Sequence, residues 1–127
     1  MGVMRMKEPL HNDRLRITLE ESLKKALTEF LILTLLSERE HYIGELTLEI
    51  DRRSSRTIHI EFPYSTIYRI SNAGYIKESE KRTAPDGRLR QYYKITKKGV
   101  TYLAELKRTY YRFINGVLSV LENKDNE

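Results

Sequence analysis

A cluster of basic side chains between Lys77 and Lys98 carries the strongest chemical signal in this sequence. Eight Lys or Arg residues stand there against three Asp or Glu residues, and the resulting net charge of +5 equals the excess of the whole 127-residue chain. Arg88 and Arg90 are two positions apart in a segment that should be extended, so we expect their guanidinium groups on the same side of a strand. Such groups bind phosphate oxygens or enter a minor groove. The predicted nucleic-acid contacts of this segment are Lys81, Arg82, Arg88 and Arg90.

A short helix is predicted just before the basic segment. Pro63 suits its start because proline has no N–H to lose there, and Gly74 ends it. One face is expected to carry Tyr64, Ile67, Ile70 and either Ser71 or Gly74. The other face carries short hydrogen-bonding side chains and one guanidinium group, which suit base edges or phosphates in a major groove. The predicted DNA contacts of this helix are Tyr64, Ser65, Thr66, Tyr68, Arg69 and Asn72.

A β-hairpin is predicted after this helix, with strands from Tyr75 to Thr83 and from Leu89 to Ile95. The turn between them contains Pro85-Asp86-Gly87, which supplies a preset φ, a side-chain acceptor and a residue that tolerates positive φ. A compact helix followed by a positively charged hairpin is typical of a winged helix-turn-helix. The pattern therefore predicts binding to duplex DNA.

Two further helices are predicted upstream. The first begins at Thr18, which forms a capping box with Glu21 and precedes a segment that becomes apolar all round by Leu36. The second covers Tyr42 to about Arg53, and its inward residues are expected to be Ile43, Leu46, Leu48 and Ile50. The alternating residues 57–60 predict a short strand against the hairpin.

The last helix is predicted from Thr96 to about Glu122, with apolar residues spaced in two heptad series. Its apolar stripe is wider than one small domain needs, so we expect a second copy of the chain to pack against it. The residues predicted for dimerisation are Leu103, Leu106, Tyr110, Phe113, Ile114, Val117, Val120 and Leu121. Tyr110 and Phe113 allow two interpretations, dimer core or the lining of a pocket for a flat apolar effector.

Composition sets the remaining expectations. The chain has 39% hydrophobic residues, a mean hydropathy of −0.59 and no cysteine, which suits one domain in the cytoplasm without disulfides. The three histidines lack metal-ligand spacing, and we expect neither a metal nor a cofactor. We predict a mainly α fold with a small β-hairpin, divided into an arm (1–17), a winged-helix domain (18–96), a dimerisation helix (97–122) and a tail (123–127).

Two segments resemble the PadR family of winged-helix transcriptional regulators. The family's wing motif is matched at Gly87, Arg88, Arg90, Tyr92, Tyr93, Ile95, Thr96 and Gly99, and its recognition-helix spacing at Tyr64, Gly74 and Ile76. The resemblance covers about residues 24–121. It implies a homodimer that represses promoters, with the C-terminal helix as the dimer element. The run Tyr42-Ile43-Gly44-Glu45-Leu46 departs from the Gly-Tyr-Glu-Ile that usually opens the family's second helix.

Two other classes of function compete with a DNA-binding repressor. A winged-helix module for protein–protein contacts, without sequence-specific DNA binding, is the alternative if the acidic face of the second helix and the apolar stripe of the last helix matter more than the hairpin. An enzyme is disfavoured because the sequence offers no nucleophile–base pair, metal cluster or phosphate-binding glycine loop.

Overall fold

The computed structural model describes residues 18–122. The predictions of an arm at 1–17 and a tail at 123–127 lie outside the described residues. Four helices and three strands follow in the order α1 (Leu19–Glu38), β1 (His41–Tyr42), α2 (Ile43–Arg53), α3 (Tyr64–Asn72), β2 (Ile76–Thr83), β3 (Leu89–Ile95) and α4 (Lys97–Glu122). The strands form one antiparallel sheet in the order β1-β3-β2. The predicted winged helix-turn-helix with a long C-terminal helix is thus confirmed.

Helix α1 begins as its capping residues predict. The hydroxyl of Thr18 accepts a hydrogen bond from the backbone N–H of Glu21 at 3.1 Å, and the Glu21 carboxylate accepts one from the N–H of Thr18 at 3.4 Å. The second half of α1 is buried at the centre of the domain. Its apolar side chains meet residues from every other helix and from β2, and the buried cluster comprises Ile32, Leu33, Leu35, Leu36, Leu46, Ile50, Ile67, Ile70, Ile76 and Leu103.

Two residues predicted to face inward are exposed. Leu48 of α2 is 66% exposed, because Leu46 and Ile50 are four apart and face the core together, which turns the residue between them outward. Tyr64 is 60% exposed, since the first turn of α3 extends past the core and Pro63 takes the buried place there.

The prediction of a strand at residues 57–60 is wrong. Ser55 and Arg56 have positive φ values of 54° and 67° and reverse the chain after α2. The Ser54 hydroxyl at the end of α2 then accepts a hydrogen bond from the N–H of Ile58 at 2.9 Å. This N–H is therefore bonded to a side chain and not to a neighbouring strand. The edge of β3 is instead paired with β1, where His41 faces Tyr93 and Tyr42 faces Tyr92.

The junction between α3, the sheet and α4 is tightly bonded. The hydroxyl of Thr96 donates to the carbonyl of Gly74 at 2.6 Å and accepts from the N–H of Gly99 at 3.0 Å, which confirms Thr96 as the residue that caps α4. The N–H of Thr96 donates to the carbonyl of Tyr75 at 3.0 Å. A Cβ at Gly99 would lie 2.1 Å from that same carbonyl oxygen. Helix α4 can therefore approach the chain after α3 only because residue 99 is glycine.

Candidate nucleic-acid interface

Helix α3 presents a polar and aromatic face to solvent. Ile67 and Ile70 are buried and fix the helix to the core. Tyr64 and Tyr68 are 60% and 70% exposed. Of the other predicted DNA contacts on this helix, Thr66 is half-buried, and the exposed ones are Ser65, Arg69 and Asn72. The outer face thus offers hydroxyl, amide and guanidinium groups that can donate hydrogen bonds to base edges or phosphates.

The hairpin of β2 and β3, called the wing, has an ordered tip. The Asp86 carboxylate accepts a hydrogen bond from the backbone N–H of Arg88 at 3.0 Å, and the N–H of Gly87 donates one to the carbonyl of Ala84 at 2.8 Å. Gly87 has a φ of +86°, which a residue without a Cβ adopts at little cost. The turn expected from the Pro-Asp-Gly sequence is therefore confirmed.

Two arginines at the wing tip have different surroundings. Arg88 is exposed and forms no ion pair with any residue from 18 to 122. Arg90 donates to Asp86 at 2.7 Å, its guanidinium carbon lies 5.3 Å from the centre of the Tyr42 ring, and its Nε is buried without a hydrogen-bond partner among the described residues. The ion pair raises the pKa of Arg90 and, together with the backbone N–H of Arg88, lowers that of Asp86. Arg90 thus stabilises the tip.

Strand β2 also carries an exposed cation and a cation that is paired within the wing. Lys81 is exposed and unpaired within the described part of the chain. Arg82 lies 3.8 Å above the centre of the Tyr92 ring and donates to Glu80 at 2.6 Å and to Glu40 at 3.3 Å. The hydrogen bond to Glu80 is the main cause of the raised pKa of Arg82. Of the four predicted wing contacts, Lys81 and Arg88 therefore have cationic groups available to a ligand, whereas Arg82 and Arg90 hold the hairpin together.

The arginines at the end of α2 are neutralised by neighbouring carboxylates. Arg52 donates to Glu49 at 2.6 Å, and Arg53 bridges Glu38 at 2.7 Å and Glu49 at 2.8 Å. These hydrogen bonds lower the pKa of Glu49 to about 2 and lower that of Glu38. Arg56 is paired with Asp51 in the same way. This end of α2 is a network of ion pairs within the domain.

Arg69 reaches out of α3 toward α1. Its Nη1 donates to Oε1 of Glu29 at 2.5 Å, and the hydroxyl of Tyr102 on α4 donates to Oε2 of the same carboxylate. Burial, and then the bond to Glu29, raises the pKa of Tyr102 to about 12. Reasoning from the sequence missed Glu29, because its partners are 40 and 73 residues away and a single Glu on an amphipathic helix normally indicates a solvated position.

An apolar groove separates α1 from the middle of α4. Its volume is about 280 Å³, and it is lined by Leu23, Ala26, Leu27, Glu29, Phe30, Leu106, Thr109, Tyr110, Phe113 and Ile114. The rings of Phe30 and Tyr110 pack with their centres 5.3 Å apart, while Phe113 is 66% exposed. The structure thus brings together both residues predicted for an effector pocket.

The predicted dimerisation residues divide along α4. Leu103 is buried in the core, and Leu106, Tyr110 and Ile114 are half-buried against α1. The exposed members of the set are Phe113, Val117, Val120 and Leu121. The second half of α4 therefore carries an apolar face that the other residues between 18 and 122 do not cover.

The exposed face of α3, the basic wing and the buried core shared by the four helices are the features of a winged-helix transcriptional regulator. The model of the Transcriptional regulator PadR-like family matches residues 32–105, which is more than half of the chain. The protein belongs to this family. No helix within residues 18–122 is long and apolar enough to cross a membrane.

Solved structures share this fold. The fold is similar to that of a PadR family transcriptional regulator from Eggerthella lenta, with a TM-score of 0.70 and 23% identity over 89% of this chain and 97% of that chain. A PadR-like transcriptional regulator from Bacillus cereus gives a TM-score of 0.67 and 25% identity over 79% of this chain and 96% of that one. A transcriptional regulator from Clostridium thermocellum gives 0.64 and 23% over 84% and 99%. Comparison with curated proteins found no match.

Proposed function

We propose that this regulator is a homodimeric, sequence-specific repressor that acts on operator DNA in the cytoplasm. The observation that carries the proposal is the exposed polar and aromatic face of α3, which leads directly into a wing where Lys81 and Arg88 form no ion pair with any residue from 18 to 122. In this proposal α3 enters the major groove and the wing lies on the phosphate backbone or in the minor groove. The proposed interface comprises Tyr64, Ser65, Thr66, Tyr68, Arg69, Asn72, Lys81, Arg82, Arg88 and Arg90. Within it, Arg82 and Arg90 act by holding the wing that presents Lys81 and Arg88.

The exposed apolar face of α4 supports the proposed dimer. Val120 and Leu121 are 77% and 74% exposed, and a helix of 26 residues presents them well beyond the core. Apolar surface of this kind is stabilised when a second copy removes it from water. Two copies joined through this face would offer two recognition helices, as a palindromic operator requires.

The groove between α1 and α4 supports a small aromatic effector. It is lined mainly by apolar side chains, including the rings of Phe30, Tyr110 and Phe113, and its volume of about 280 Å³ suits a compact flat molecule. A ligand that binds one angle between α1 and α4 better than another would shift the balance between two dimer geometries.

The proposal is tested by DNA binding across a salt series. We expect the purified protein to bind the region upstream of its own gene more tightly than a scrambled duplex, with two-fold symmetric protection, and to lose affinity steeply as salt rises. Equal and weak binding to both duplexes would contradict sequence-specific regulation at that site. It would favour the alternative of a protein-interaction module.

The wing is tested separately from the charge of the protein. Replacing Lys81 and Arg88 together by Ala should reduce the salt slope by about 0.9 for each phosphate that the wing no longer neutralises. The matched control replaces Arg52 and Arg56 by Ala, which removes the same charge from residues already paired with carboxylates. We expect the control to keep most of the slope. Equal reductions in the two variants would show that only the net charge of the protein affects binding and that Lys81 and Arg88 do not contact phosphates.

A further inference from the structure

Glu29 is the one described carboxylate that bonds to both the recognition helix and the last helix. Its side chain is 15% exposed, Oε1 accepts from Arg69 of α3 at 2.5 Å, and Oε2 accepts from Tyr102 of α4. Both oxygens are therefore used, each by a different helix. Glu29 also lines the groove between α1 and α4.

Arg69 is placed between this carboxylate and solvent. Its side chain is 59% exposed on the outer face of α3, where DNA is proposed to bind. The partner carboxylate is largely buried, and a charge that is partly shielded from water attracts a guanidinium more strongly than a fully solvated one does. A DNA phosphate and Glu29 therefore compete for the same cation.

We propose that Glu29 is a positioning residue that limits how strongly Arg69 contributes to DNA binding. It holds the guanidinium against α1 and so reduces the number of cations that α3 presents to the duplex. This inference rests on the proposed function, because it requires α3 to contact DNA. It assigns to a residue outside the DNA-facing elements a part in setting affinity and salt dependence.

The test compares the wild-type protein with Glu29→Gln, Arg69→Ala and the double variant, measuring affinity for one duplex against salt. Glu29→Gln should release Arg69 and steepen the slope by about 0.9, the value for one more neutralised phosphate. The double variant should lose that increase and return to about the wild-type slope. Arg69→Ala alone should change the wild-type slope much less. A merely structural role for Glu29 would weaken binding without making it more dependent on salt.

Two controls isolate the bond between Arg69 and Glu29. Glu20→Gln removes an equal charge from an exposed position of α1 and should leave the slope near the wild-type value. Tyr102→Phe removes the other hydrogen bond to Glu29 and should also leave it unchanged. If Glu29→Gln behaves like Glu20→Gln, or if Arg69→Ala has the same effect in both backgrounds, the proposal is wrong.

The experiment separates this inference from the proposed function. A wild-type protein that binds no duplex removes the proposed function, and this inference with it, whereas wild-type binding without an effect of Glu29 overturns only the role of Glu29. If Glu29→Gln does not fold, the proposal is tested by comparing the salt slope of Arg69→Ala with that of the wild type. A decrease of about 0.9 in the wild-type slope would show that Arg69 already neutralises a phosphate, against the proposal.

Discussion

The two halves of α4 follow one heptad pattern but differ in what covers them. In the first half, Leu103 is 7% exposed within the core and Gly99 is packed against the carbonyl of Tyr75. In the second half, Val117 is 39% exposed and Val120 is 77% exposed. The spacing of apolar residues thus predicts that a helix has a face to bury, but it does not say which surface buries it. The first half is covered by its own domain, whereas the second half is left exposed by the rest of residues 18–122.

The largest effect is expected from a charge in the second half. Val117→Glu should abolish dimerisation while leaving the domain folded, because an unpaired charge in a buried interface costs about 3–5 kcal/mol. Sedimentation and far-UV circular dichroism measure the two properties. Ser119→Glu, on the exposed side of the same helix segment, is the matched control and should remain dimeric. A monomeric Ser119→Glu variant, or a dimeric Val117→Glu variant, would refute the assigned face.

The next effect is expected in the first half. Leu103→Ala should lower the free energy of unfolding by about 2–5 kcal/mol, because it removes a buried side chain and leaves a cavity. Leu118→Ala, at a position that is 46% exposed, should cost much less under dilute conditions in which the protein is monomeric. Urea unfolding distinguishes the two. Equal destabilisation would mean that the halves of α4 do not differ in burial as described.

Tyr102 provides a pH test of the first half. Its folded pKa of about 12 lies above the ordinary value near 10, so the folded state retains the proton longer than the unfolded chain. The stability from this group is present below about pH 10 and is lost as the pH rises toward about 12. The difference in stability between the wild type and Tyr102→Phe should therefore shrink over that interval. A constant difference would contradict the raised pKa of Tyr102, which burial and then the bond to Glu29 produce.

The smallest effect is expected at Gly116. A Cβ there meets no atom within 4 Å among the described residues, and Ala is about 1 kcal/mol more favourable than Gly inside a helix. Gly116→Ala should therefore raise the thermal midpoint of the monomer slightly. If it instead weakens dimerisation in sedimentation, the partner helix approaches closely at this position, which would locate the centre of the interface.

Features set by neighbouring residues were predictable from the sequence. The capping box at Thr18 and the turn at Asp86-Gly87 depend on residues within four positions of each other, and both were predicted correctly. Features set by distant segments were not. The pairing of β1 with β3 and the bond between Glu29 and Arg69 join residues 40 or more positions apart, so no local pattern indicates them. Among the candidate contacts, sequence spacing placed Arg88 and Arg90 together, whereas the bond of Arg90 to Asp86 separates their roles.

Because α4 is fixed at Thr96, a small tilt of the helix there produces a large displacement at its far end. Thr96 ties the chain after α3 to the first turn of α4 through three hydrogen bonds, and the 26 residues of the helix extend about 39 Å from that point. A tilt of about 5° at the junction moves the far end by about 3.4 Å, which is the rise between successive base pairs. Because this junction is tightly bonded, a tilt of a few degrees between the far end of α4 and the partner chain in the proposed dimer would alter the separation of the two recognition helices by about one base-pair step.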